Sequence, residues 1–329
     1  MESFNLVCPC KRLLSDSQRL AVKAKTRRKE ISAPARRLGL TPTTDLRQSR
    51  PFVKSVLNLS AKAALVLAVA GPFFLGALNA TADQFGTTVA TDWQNWAAFS
   101  QGGGVTDTVT DQSGGTYVKG NIGVWGSGNV SLSGNAILDG DLYYRTSGTL
   151  KLSGKAKITG MRHHDAAGDT ILQQSSNEAY MESDQLWAQP AQNPSPTYNF
   201  TTINTSQNMT ITGTGHVVLK LTDFVLTGNA TLTLQGTAAT TFVFNITKQF
   251  SLSDSAKVVL SGGITASNVV YNVRNTGSDA TVGGTASLQG ILLANYRNVA
   301  LSSSSITRGE VVGNKVTISG QAQLIHGSP

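Results

Sequence analysis

The decapeptide SLSGNAILDG at 131–140 returns twenty residues later as KLSGKAKITG at 151–160, with Leu, Ser, Gly, Ala and the closing Gly in register. Looser copies follow: TLTLQG at 231–236, SLSDSAKVVLSG at 251–262, GGTASLQG at 283–290 and VTISGQAQLIHG at 316–327. A unit this short cannot bury an apolar face alone, so the repeats must stack on one another.

Within each copy apolar residues alternate with small polar ones, as in Val130-Ser131-Leu132-Ser133 and Val316-Thr317-Ile318-Ser319. That period of two is a strand with one side in a core and the other in water. Gly or Asn punctuates each run, at Gly134-Asn135, Gly140, Gly228-Asn229, Gly236, Gly262-Gly263 and Gly320, where tight corners need positive φ. Coils of 17–25 residues hold three short faces each, and eight or nine of them spaced by 4.7–4.9 Å make a rod on the order of 40 Å long. The expected fold is mainly β, a right-handed parallel β-solenoid (β-helix) with one helix packed alongside. The rhythm breaks between His163 and Tyr198. There Ile171, Leu172, Ala179 and Leu186 lie at helical spacing, and the Pro-rich PAQNPSPTY follows. A second short helix is expected at 91–99, with Trp93, Trp96 and Ala97 on one face.

The formal charge of +8 is carried by the first fifty residues, which hold twelve Lys/Arg against four Asp/Glu. After Ala82 thirteen Lys/Arg face fifteen Asp/Glu, a net of −2, so a nucleic-acid partner is not expected. Between Ala63 and Leu78 sixteen uncharged residues follow Lys54 and Lys62 and precede Ala80-Thr81-Ala82, the three parts of a secretory signal peptide. An uncleaved anchor is the other reading, though the stretch is short of the roughly 20 residues of a spanning helix. The expected organisation is a basic leader or misplaced start at 1–52, a signal peptide at 53–82, and one solenoid domain at 83–329. In that domain coils at about 101–161 and 198–329 flank a helix and Pro-rich linker at about 166–197. Cys8 and Cys10 both lie in the leader, so disulfides do not hold the mature chain together.

FVFNI at 242–246, LSGGITASNVVYNV at 260–273, LQGILLANYRNVALS at 288–302 and GEVVGNKVTISGQAQLIHG at 309–327 resemble bacterial secreted adhesin-like solenoids of the choice-of-anchor A type. The order of coils, helix and more coils is also similar to the ice-binding-protein-like fold, in which a long helix lies along a β-solenoid. The likeness is good from about 198 to the end and weaker over 101–161. It implies an exported, non-enzymatic protein acting in adhesion or matrix binding at the cell surface. The chain stops at His326-Gly327-Ser328-Pro329 without a sorting motif, so a released or periplasmic protein is expected.

Two groups of side chains are candidates for a ligand site. Outward Ser and Thr recur two apart: Ser131 with Ser133, Thr210 with Thr212, Thr231 with Thr233, Ser251 with Ser253, and Thr317 with Ser319. Stacked in adjacent coils they would form a hydroxyl lattice suited to ice or a crystalline polysaccharide, although Lys151 and Ala300 each replace the first member in one coil, and a structure showing the pairs on different faces would reject ice binding through them. The second group is Asp139 and Asp141 with Tyr143-Tyr144 and, one repeat on, His163-His164, a surface for sugar or metal. His216 and His326 read as isolated and exposed. No GxSxG, HExxH, GxxxxGK or calcium nonapeptide occurs, so no catalytic residue, cofactor or structural metal is expected.

The leading expectation is therefore a non-enzymatic adhesin-like or matrix-binding solenoid with an extracellular polysaccharide or matrix partner, and no membrane contact beyond the signal segment. The alternatives are an ice-binding protein using a Ser/Thr face and a polysaccharide-active β-helix enzyme. N-terminal sequencing of the native exported protein is expected to begin directly after Ala82; a sequence beginning at Met1 would refute the signal-peptide reading.

Overall fold

In the computed structural model, residues 84–89, 91–108, 115–191 and 201–327 are described, all within the compact unit Gly76–Pro329. The leader, the apolar segment at 63–78 and most of the Pro-rich linker lie outside the described residues. No helix among the described residues is long and apolar enough to cross a membrane.

The chain winds into parallel coils with three faces, and every strand pairing recorded between coils is parallel. Face A carries 216–221, 241–246, 269–273, 291–294, 310–313, 98–100, 121–124, 142–144 and 162–163, in that spatial order. Face B runs from 202–205 through 223–226, 250–252, 280–282, 299–301, 316–318, 105–107 and 130–132 to 150–152. Face C runs from 209–212 through 231–235, 257–261, 287–289, 306–308, 323–325, 117–119 and 137–139 to 157–158.

Spatial order is not chain order. Strand Trp96–Thr108 comes first in the sequence yet sits mid-stack, pairing with Ile306–Ser319 on one side and with Asn121–Val124 and Val130–Leu132 on the other. The 131–160 repeat thus grows away from the middle toward one end, and the chain must travel back to start again at Thr202. At that first end Lys151, Leu152, Lys155, Lys157 and Arg162 are exposed, and the cations discourage another strand from adding to the open edge.

Helix α1 (Ala166–Ala188) makes the return. Asp165 caps it by accepting from the Gly168 N–H at 2.7 Å. Leu172, Ser175, Ser176, Ala179, Glu182, Ser183 and Leu186 form its buried face, spaced three and four apart. The contact is partly polar. Asn245, Asn272 and Asn295, from three successive coils, donate to the helix carbonyls of Leu186 (2.8 Å), Ser183 (3.0 Å) and Ala179 (2.7 Å). Three or four residues of helix rise about 4.5–6 Å, close to the 4.7–4.9 Å between neighbouring strands, so one helical turn meets one coil.

Inside the prism Phe224, Phe242, Phe244, Phe250 and Tyr271 pack together with ring centroids 5.2–6.3 Å apart, and Val, Leu and Ala continue the core along the stack. The corner from face B to face C is a tight turn whose second residue has positive φ: Gly134, Gly154, Gly228, Asp254, Gly284, Ser303 and Gly320. At Gly284 (φ +67°) a Cβ would also lie 2.4 Å from the Asp254 carbonyl oxygen of the neighbouring coil. The LSG phrase of the repeat is this corner.

The expected helix at 91–99 is corrected to a single 3-10 turn, Thr91–Asn95. From Trp96 the chain is strand, because Ala98, Phe99 and Ser100 complete the ladder beside Val311, Val312 and Gly313. The expectation of isolated, exposed histidines is also corrected. His216 contacts Thr241 Oγ1 at 2.8 Å and Gln189 Oε1 at 3.0 Å. His326 Nε2 lies 3.0 Å from the Gln94 carbonyl and 3.3 Å from Glu310 Oε1, so this nitrogen carries the proton.

Two buried ionisable side chains bear on the stability of the stack. Arg297, 2% exposed, donates to the backbone carbonyls of Thr247, Lys248, Arg274, Asn275 and Ser278, tying several turns of the chain at one corner. Arg297→Met leaves these acceptors without their donor and is expected to cost on the order of 3 kcal/mol or more, read as a lowered urea midpoint. An unchanged midpoint would show that the clamp adds nothing.

Glu310 is the second. Burial pushes its carboxyl up to about 7, against a smaller opposing effect of His326, while the hydrogen bond from His326 to Glu310 raises the imidazole. Both groups hold their protons more tightly folded than unfolded. The Glu310 contribution is complete in acid and is lost as pH rises from the ordinary glutamate value of 4.5 through about 7, whereas that of His326 is lost only above the ordinary imidazole value of 6.5. The Glu310 share is at most about 3 kcal/mol. Glu310→Gln is expected to flatten the fall in stability between about pH 5 and 8, measured by denaturant unfolding; an identical slope in the variant would contradict this.

Candidate functional site

The three faces differ in what they present to solvent. Face A is covered over much of its length by α1, with Val218, Val243, Val270, Ile291, Leu293 and Val312 buried in a shared cluster with Leu172, Ala179 and Leu186. Face C carries side chains of unequal length and both signs: Lys257 and Val259, Gln289, Ile306 and Arg308, Gln323, Tyr117 and Lys119, Ile137 and Asp139. Face B is different. Its central outward rank over six consecutive coils is Ser251, Thr281, Ala300, Thr317, Thr106 and Ser131, each partly exposed beside a buried apolar neighbour. Nothing in that run is larger than threonine.

Beside it lies a second rank, Ser253, Gly283, Ser302, Ser319 and Ser133, all partly exposed. The two ranks are two residues apart along the strand, about 6.7 Å, and successive coils are about 4.7–4.9 Å apart. Side-chain ladders hold the rank in place, as where the hydroxyls of Ser251 and Thr281 meet at 2.9 Å. Bulkier polar residues flank one edge, with Asn298 bonded to Asp279 at 3.2 Å and Asn129 to Thr149 at 2.9 Å. Lys151 ends the rank at the terminal coil.

The sequence leaves open whether the Ser/Thr pairs share one face, and the structure divides them between two. Ser251 and Ser253 belong to face B, as do Thr317 and Ser319, together with Ser131 and Ser133. Thr210, Thr212, Thr231 and Thr233 belong to face C and are removed from the lattice. Their neighbours in the next coil are not small hydroxyls throughout. Thr231 is followed by Lys257, and Thr210 by Thr233 and then Val259. Thr212 is followed by Gln235, and the Thr212 hydroxyl donates to the Gln235 Oε1 at 3.5 Å instead of facing an open plane. Sequence reasoning missed Thr106, Thr281 and Ser302, and took Ala300 as an interruption of the hydroxyl pairs rather than as a member of the rank. For Thr281 and Ser302 the signal was available: a pair of face-B positions two apart stands directly before a positive-φ corner in SLSG, SLSD, TVGG, ALSS and TISG.

The second group is also divided. Tyr143 stacks on His163 at 4.0 Å on the outer side of face A, and Tyr144 on His164 at 4.2 Å. Asp141 Oδ2 lies 3.6 Å from His163 Nε2. Asp139 stands on face C, accepting from the Tyr117 hydroxyl at 2.9 Å and Thr159 at 3.0 Å. The Tyr117 hydrogen bond lowers the Asp139 carboxyl and raises the phenol. Among the described residues no three His, Cys, Asp or Glu side chains are grouped to hold a metal ion.

Comparison with known proteins places this geometry in a family. An ice-binding protein of Leucosporidium sp. (strain AY30) is 38% identical over 81 residues, 25% of this chain and 30% of that protein. One from Flammulina populicola is 32% identical over 96 residues, 29% of this chain and 37% of that protein. The matched stretches thus span about a third of each curated relative. Among solved structures, the fold is shared with an ice-binding protein from the Antarctic ascomycete Antarctomyces psychrotrophicus, with a TM-score of 0.51 at 18% identity over 73% of this chain and 99% of that one. A glycosylated ice-binding protein from an Arctic yeast has a TM-score of 0.52 at 19% identity over 73% and 94%. These neighbours agree with the expected mainly β solenoid. The matches favour the ice-binding-like resemblance over the choice-of-anchor A one, so adhesion is set aside as the leading reading. The family model described as ice-binding-like matches residues 104–323, and the chain belongs to that family.

Proposed function

We propose that this protein binds ice through face B, without catalysis, outside the cell that exports it. The observation that carries the reading is the six-coil rank from Ser251 to Ser131, which is small-sided, uncharged and flanked by a second small-sided rank. The pairs grouped from sequence do not share a face, which rejects ice binding through that set, and the reading rests on the family match and the face-B rank instead. The proposed surface is a different set: Ser251, Ser253, Thr317 and Ser319 joined by Thr106, Ser131, Thr281, Ala300 and Ser302, without Thr210, Thr212, Thr231 or Thr233.

The physical case rests on preorganisation. Ice offers a rigid array of water oxygens, so each contact is weak and affinity requires many of them in register. Thr and Ser on a parallel ladder are held by the backbone, and Thr has few χ1 states to lose. The surface therefore contributes little ordering cost when it meets the lattice. The Thr methyls and Ala300 keep part of the plane apolar, so releasing its hydration water is not prohibitive. Long Lys, Arg or Gln side chains, as on face C, would need to be immobilised or moved aside.

A protrusion in the middle of the plane tests this. Thr317→Tyr and Thr281→Tyr are expected to reduce thermal hysteresis and ice recrystallisation inhibition several-fold with little change in melting temperature, whereas Thr233→Tyr on face C leaves both near wild type. Equal activity in all three variants would exclude face B as the binding surface.

A further inference from the structure

On the other side of the molecule α1 and face A do not close completely. Near the start of the helix they leave a cleft of about 470 Å³, in the size range of small-molecule sites. Ile171, Gln174 and Ser175 of α1 form one wall; Trp96, Asn121 and Tyr143 form the other; Asn95, Gly120 and His326 complete it. The aromatic wall is built rather than incidental. Trp96 meets Tyr143 edge-on at 5.1 Å, and Tyr143 is backed by His163. Gly123 makes room for it, since a Cβ there would lie 2.5 Å from Phe99 and 3.0 Å from Trp96.

The polar lining is also arranged. Asn121 Oδ1 accepts from the Asp141 backbone N–H at 3.0 Å, which fixes the amide and leaves its NH₂ as a donor. Glu310 fixes His326 at the inner end. No carboxylate, Lys or Arg lines the cleft.

We propose that this cleft binds a neutral saccharide, one or two pyranose rings, independently of ice. Tyr143 and the exposed Ile171 suit the apolar C–H face of a sugar, with the buried Trp96 behind them, and the amides of Asn95, Asn121 and Gln174 with the His326 imidazole suit its ring of hydroxyls. A phosphate or carboxylate ligand would find no cation lining the cleft to pair with, unless His326 is protonated. An ammonium ligand would find no lining carboxylate. The site lies on face A and makes no use of the face-B rank.

The test is calorimetric titration of the full chain with glucose, N-acetylglucosamine and their β-linked disaccharides. Saturable binding is expected, with Kd on the order of 1 mM for the tightest of these. Tyr143→Ala and the exposed-site variant Asn95→Ala are each expected to weaken it, the first at least about tenfold. Thr317→Tyr is expected to leave it unchanged. Absence of saturable heat with all four sugars would overturn the proposal. So would affinity unaffected in Asn95→Ala and in a Tyr143→Ala protein that still melts cooperatively. Loss of ice activity in Thr317→Tyr with sugar binding intact would separate the two sites.

Discussion

The rest of the structure depends on one ladder, the parallel pairing of strand Trp96–Thr108 against Ile306–Ser319. It joins the first coil in the sequence to the last, so the two stretches of coils become one prism with a continuous core. Without it face B would break between Thr317 and Thr106, and each half would end in an open edge. The same ladder dictates the helix. Coils built outward from the middle of a stack strand the chain at one end, and α1 is the segment that carries it back.

That return is matched to the solenoid because a helical turn and a coil have nearly the same rise. Asn245, Asn272 and Asn295 exploit the match by donating to helix carbonyls at steps of three and four residues. A purely apolar contact would let the helix slide; these side chains fix its register. One face is thereby occupied by the helix, one carries long charged side chains, and the third is left flat. Rigidity and flatness, the two properties an ice surface needs, come from the backbone ladder rather than from any special residue.

Much of this was legible in the chain. The twenty-residue echo, the alternation of Leu and Ser and the corner glycines specified a stacked β fold, and the apolar spacing after Asp165 marked the helix. What was not legible depends on contacts far apart in sequence. Ala98 pairs with Val311 across more than two hundred residues, and nothing in the local stretch WQNWAAFS distinguishes a strand completing a distant ladder from a short helix with Trp93 and Trp96 on one side. Assigning Ser and Thr to faces failed for a related reason. All three faces alternate alike, so Thr210-Ile211-Thr212, Thr231-Leu232-Thr233 and Ser251-Leu252-Ser253 look equivalent until the residues after them are considered. Asp254 has positive φ and ends a face-B strand, whereas Gln235 continues along face C and brings its long side chain beside Thr212. His326 looked isolated because its partner Glu310 lies sixteen residues away on the next turn of the coil.

The central claim is that this surface recognises ice itself. The most direct measurement is the partitioning of the full chain at a slowly advancing ice front, compared with an ordinary soluble protein of similar size. The protein is expected to be overgrown and concentrated in the ice. Exclusion into the remaining liquid, to the same extent as the control, would contradict ice recognition.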